Sequence, residues 1–88
     1  MDSHAAIRQW ADQAAMEFGP GWKGQWFERI PDDRHQQAVF RLVLEKRGVC
    51  IQNEVWMRGD INSRASAFQM RLAAKQCLLK KAKAQLPL

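Results

Sequence analysis

Residues 38–58 read AVFRLVLEKRGVCIQNEVWMR, two alternating runs on either side of a Lys-Arg-Gly turn. Successive side chains of a strand point to opposite faces. In the run from Ala38 to Glu45, Phe40, Leu42 and Leu44 share one face, and Val39, Arg41, Val43 and Glu45 share the other. In the run from Val49 to Arg58, one face carries Val49, Ile51, Asn53, Val55 and Met57. The other carries Cys50, Gln52, Glu54, Trp56 and Arg58. Gly48 supplies the positive φ that a tight hairpin requires. An even-length loop such as Arg47-Gly48 sets Leu44 opposite Ile51 and Phe40 opposite Val55. An odd loop sets Leu42 against Gln52 and Phe40 against Glu54. Burying one face selects the even loop, because a one-residue slip turns every side chain to the wrong side. The remaining face gathers Arg41, Glu45, Gln52, Glu54 and Arg58 around Trp56, a mixture suited to water or a polar partner.

Upstream, Ile7, Trp10, Ala11, Ala14 and Phe18 fall on one face of a helix that starts near Ser3. Asp2 or Ser3 is placed to cap it, and Gly19-Pro20-Gly21 ends it. Trp22 to Ile30 reads as a first strand, with Gly24 marking its start or a bulge. Pro31-Asp32-Asp33-Arg34 reads as a turn. Downstream, Gly59-Asp60-Ile61-Asn62 is a loop, with Asn62 or Ser63 capping a long helix that runs to about Ala84. Leu86-Pro87-Leu88 is expected to fray. The long helix carries two apolar stripes, Phe68, Leu72 and Leu79 on one and Met70, Ala74, Cys77 and Leu78 on the other, with Arg64, Arg71 and Lys75 between them. Such a helix is either gripped from two sides within the domain or offers one stripe to a dimer or partner. The expected architecture is a single α+β domain over residues 1–88. Its order is α-β-β-β-α, a three-stranded antiparallel sheet with two helices packed on one face.

The chain has 88 residues, 47% of them hydrophobic and 26% charged, with four Trp and four Phe. That is enough for one core without a disulfide or metal. No apolar run approaches the ~20 residues of a membrane span, and no signal peptide is visible, so a cytoplasmic protein without membrane contact is expected. The two cysteines, Cys50 and Cys77, form no CxxC pair and are expected to stay reduced.

Net charge is +5, unevenly spread. Residues 1–45 hold five Lys/Arg against seven Asp/Glu, and residues 46–88 hold nine against two. A basic half beside a mildly acidic half points to a polyanionic partner, against the plainer reading of a solvated basic helix. The candidate nucleic-acid-binding residues are Lys46 and Arg47 at the hairpin tip, Arg58 at the end of the third strand, Ser63 and Arg64 where the last helix opens, and Arg71, Lys75 and Lys80 along it. A helix N-terminus favours an anion, and Lys and Arg beyond it follow a phosphate backbone by charge. Such contacts position a nucleic acid without reading its bases. An exposed Trp stacks on unpaired bases, although most of four Trp are needed as core.

No catalytic constellation is present, so an enzyme is not expected. His4 and His35 lack metal-ligand neighbours, Asp32-Asp33 is more simply a turn, and no nucleophile elbow or phosphate-binding glycine loop occurs. No cofactor is implied.

The element order, with Asn62-Ser63-Arg64-Ala65-Ser66-Ala67 opening the last helix and leading to Ala73-Ala74-Lys75, resembles the double-stranded RNA-binding domain. The resemblance implies both helices on one sheet face and a second helix whose basic start spans a groove and grips phosphates. That family opens the helix with paired lysines where this chain has Arg64 alone. It places Gly-Pro and His between its first two strands, where this chain has Pro31 to His35. Residues 22–84 are also similar to the three-strand-plus-helix DNA readers of plant transcription factors and phage integrase arms, which would make the face with Arg41, Trp56 and Arg58 the reading surface. The expected function is a small nucleic-acid-binding domain, as monomer or homodimer, with duplex RNA or DNA as partner. The alternative is a protein-interaction module, such as a small bacterial or phage regulator, acting through a helix face or the open sheet face.

Overall fold

A computed structural model describes residues 3–32 and 37–86, with side chains from 7–31 and 37–86. Its elements are α1 (Ser3–Phe18), β1 (Lys23–Asp32), β2 (Gln37–Lys46), β3 (Val49–Arg58) and α2 (Arg64–Ala84). The strands form one antiparallel sheet in the order β1-β2-β3. The hairpin register is the one that burial selects, with Leu44 opposite Ile51 and Phe40 opposite Val55. Its turn places both Arg47 (φ 49°) and Gly48 (φ 83°) in the left-handed region. That backbone matches the right-handed twist of the strands it joins.

The core lies on one side of the sheet. Trp26 from β1, Ala38, Phe40, Leu42 and Leu44 from β2 and Ile51 from β3 pack against Ala11, Ala14 and Ala15 of α1 and Met70, Ala74, Leu78 and Leu79 of α2. Both helices therefore cover the same face. The shortest dimension of the molecule is 18 Å, room for one sheet and one layer of helices ~10 Å thick.

Helix α1 lies low on β1 because its buried side chains are alanines. At Gly24 the fit is closest: a β-carbon there would sit 2.6 Å from the carbonyl oxygen of Ala11. Gly24 is a contact surface for the α1 backbone, not a bulge. The bulge falls later in β1. Pairing is regular from Lys23 opposite Glu45 to Arg29 opposite Val39, then Asp32 faces Gln37, so Ile30-Pro31 contributes one extra residue. Pro31 and Asp32 thus belong to the strand, not to the expected turn. An edge strand with a register slip accommodates a residue that has no N–H to give. The rest of that turn, Asp33 and Arg34, lies outside the described residues, as do Asp2, His35, Pro87 and Leu88.

Helix α2 starts on Ser63, whose side chain accepts from the Ser66 N–H, and ends at Gln85, whose N–H reaches the carbonyls of Ala82 and Lys83. Lys81 and Lys83 in its last turn complement the helix dipole. Ala67, Met70, Ala74, Leu78 and Ala82 form its buried line, a 3-4-4-4 spacing that keeps one face down. Phe68 belongs to the second stripe, and its ring meets Trp10 of α1 edge-on at 5.8 Å. Leu79 of the same stripe is buried in the core while Phe68 stays 51% exposed, so the helix is gripped from two sides over part of its length. Leu86 packs on the core instead of fraying. Among the described residues, no helix is long and apolar enough to cross a membrane.

Gly24→Ala is expected to lower stability by about 1–3 kcal/mol, because neither backbone can yield without disturbing the packing beneath it. Urea unfolding of the variant beside the parent measures this.

Candidate nucleic-acid interface

The eight candidate residues separate into three groups by their surroundings. Arg71 and Lys75 point into the domain. Arg71 forms a bidentate pair with Glu28 of β1, Nε donating to Oε2 at 2.6 Å and a terminal nitrogen donating to Oε1 at 2.8 Å. The indole N–H of Trp26 donates to the same Oε2 at 2.8 Å. Glu28 is set between the sheet and α2, and these three bonds satisfy a carboxylate that would otherwise be stranded beneath a helix. The bond to Glu28 raises the Arg71 pKa above its ordinary value, while partial burial opposes that. A raised guanidinium pKa leaves Arg71 charged throughout the working pH range, so its side of the pair does not titrate away.

Lys75 is buried, at 8% exposure. Its ammonium donates to Glu17 of α1 and sits 5.7 Å from the centre of the Trp10 ring. The stem is core and the head closes the seam between the helices. Both cations thus hold α2 to the acidic half of the chain.

Lys46 and Arg47 occupy the hairpin tip. Lys46 donates to the carbonyl of Pro20 at 3.0 Å and lies over Trp22, tying the tip to the loop after α1. Arg47 is exposed. Arg58, Ser63 and Arg64 stand at the opposite end of β3, about 30 Å away along a ten-residue strand. All three are exposed, and Asp60 between them accepts from the Asn62 N–H at 3.0 Å and shapes the loop. The Ser63 oxygen is already the cap acceptor, so its O–H is what it has to give an anion. Lys80 and Lys83 are exposed on α2, and the neighbouring Lys81 reaches the carbonyl of Glu54 on the β3 edge. The structure thus brings Arg58, Ser63 and Arg64 together and leaves the hairpin tip remote from them.

The face of the sheet away from the helices holds residues that charge alone does not single out. Cross-strand pairing sets Arg29, Val39 and Trp56 on one rung and Phe27, Arg41 and Glu54 on the next. Trp56 is 55% and Phe27 42% exposed, while Val39 between the outer strands is only 2% exposed. The Arg41 guanidinium lies 4.7 Å from the centre of the Phe27 ring. Alternation alone puts Trp56 and Arg41 on this face. Phe27 and Arg29 join it only when β1 is paired in register. Among the described residues, no group of three or more His, Cys, Asp or Glu is placed to hold a metal.

Arg71→Met and Lys75→Glu are each expected to cost about 2 kcal/mol of stability, the first by leaving the Glu28 carboxylate with the Trp26 indole alone, the second by setting two carboxylates together. Arg64→Glu is expected to change stability by less than about 0.5 kcal/mol, as an exposed substitution. Thermal melts of the three variants check the division.

Comparison of the chain with protein-family models, curated proteins and solved structures gives no match.

Proposed function

We propose that this protein is a non-enzymatic nucleic-acid-binding domain that engages phosphates through exposed cations. The supporting observation is which cations stay outside. The interior pairs take up Arg71 and Lys75, and Arg47, Arg58, Arg64, Lys80 and Lys83 remain exposed in a half of the chain whose only acidic side chains are Glu54 and Asp60. Arg58 and Arg64 flank the opening of α2, where unsatisfied N–H groups and the helix dipole add to their charge. The α-β-β-β-α order is compatible with a fold like that of the double-stranded RNA-binding domain, whose second helix opens on phosphates in the same place. Here Arg58, Ser63 and Arg64 take that role in place of a lysine pair.

A protein partner is the second reading, favoured by the exposure of Phe27 and Trp56, since large aromatics anchor protein interfaces too. Salt dependence separates the two, because displacing counterions from phosphates makes affinity fall steeply with ionic strength. Titration against duplex RNA, duplex DNA and a single strand at two salt concentrations is expected to give binding that weakens steeply with salt. Arg58→Glu and Arg64→Glu are each expected to weaken it about tenfold with the fold intact. Undiminished binding in both variants would remove this surface from the account, and no binding at low salt would leave the protein-partner reading.

A further inference from the structure

We infer that the open sheet face is a stacking platform for unpaired nucleotides, so that the nucleic acid taken there is single-stranded. This rests on the nucleic-acid reading above and names the form of its ligand. The face carries Phe27 and Trp56, two exposed aromatic rings on the outer strands, one rung apart along the sheet. Two strand spacings and one rung separate their backbone positions by about 12 Å. Beside Phe27 is a basin of about 440 Å³ lined by Phe27, Glu28, Arg29, Val39, Arg41 and Glu54, with Trp56 outside that lining. Its volume falls within the range of small-ligand clefts. Val39, buried on a face that no helix covers, is its apolar floor, with Phe27, Arg29, Arg41 and Glu54 on the same face around it.

Charge selects the occupant. By register the face carries Lys23, Arg29, Arg41 and Arg58 against Asp32, Glu45 and Glu54, with Asp32 at the far end of β1 and the arginines around Phe27 and Trp56. A polyanion with flat apolar rings satisfies both features at once, bases on Phe27 and Trp56 and phosphates on the arginines. A duplex offers the phosphates, but its bases are stacked on one another and their π-faces are closed to Trp56. Arg58 stands two residues beyond Trp56 on the same face and borders Ser63-Arg64, so a strand leaving the sheet passes directly onto the phosphate site at the start of α2.

The test is fluorescence anisotropy with mixed-sequence single-stranded RNA and DNA of about 16 nucleotides and the corresponding duplexes, together with intrinsic tryptophan emission. Single strands are expected to bind more tightly than duplexes and to quench tryptophan emission. Trp56→Ala is expected to lose about tenfold in single-strand affinity and most of the quenching, with an unchanged melt, while Trp56→Phe retains binding. Single-strand binding unaffected by Trp56→Ala, or a preference for duplex with no dependence on Trp56, overturns the stacking platform and leaves the phosphate reading standing. Absence of binding to every oligonucleotide at low salt overturns both. Equal affinity for RNA and DNA is consistent with stacking, which reads no 2′-hydroxyl.

Discussion

Glu28 presents a carboxylate to the side of the sheet where its neighbours are apolar, and the layer of helices closes over it with Arg71 meeting both of its oxygens and the Trp26 indole meeting one. A buried carboxylate without partners would cost far more than a single packing contact returns. The bidentate geometry also fixes where along β1 the first half of α2 lies, since a planar guanidinium meets two carboxylate oxygens in one orientation. Lys75 and Glu17 then fix α1 against α2, and the rings of Trp10 and Trp26 pack in the seam with the half-exposed Phe68 against Trp10. The amide pair between Asn53 and Gln85, at 2.7 Å, satisfies the one polar residue on the inner face of β3 where α2 ends. These polar clasps hold one helical layer on one face of the sheet.

That arrangement changes the meaning of the charge asymmetry. A strongly basic second half invites the reading that all of its cations face a polyanion. Part of the asymmetry is instead neutralisation within the chain, with cations of α2 meeting carboxylates of α1 and β1 where these elements pack together. What remains for a partner is a smaller set of exposed residues. Because both helices sit on one side, the other side of the sheet is bare, and its arginines stand beside two exposed aromatic rings.

Much of the fold is legible in the sequence because it follows from alternation and helical periodicity. Phe40, Leu42, Leu44 and Ile51 define the hairpin register by their spacing alone, and Ala11, Ala14 and Phe18 define the inward face of α1. The first strand is harder, since Pro31 is a strong turn signal and only its place on an edge strand beside a bulge makes it compatible with β1. Gly24 carries no local signal for its role, which arises from the close approach of a helix distant in sequence. The same holds for Arg71 and Lys75. Their charge is visible, but their partners Glu28 and Glu17 lie 43 and 58 residues away, and helical spacing alone does not distinguish a cation facing solvent from one paired with a distant carboxylate. Trp56 is the converse case. Period-two alternation places it outside the core, which separates it from Trp10 and Trp26 without any long-range contact.

The central claim is that the bare face of the sheet, continuous with the opening of α2, is where this protein meets nucleic acid. Backbone amide chemical shifts recorded while a single-stranded oligonucleotide is titrated in test it most directly. The account predicts that the largest changes map to β1, β2 and β3 around Phe27, Arg41 and Trp56 and continue through Arg58 to Arg64, with the outward faces of α1 and α2 unmoved. Changes concentrated on the helical side, with Trp56 and its neighbours unperturbed, would contradict it.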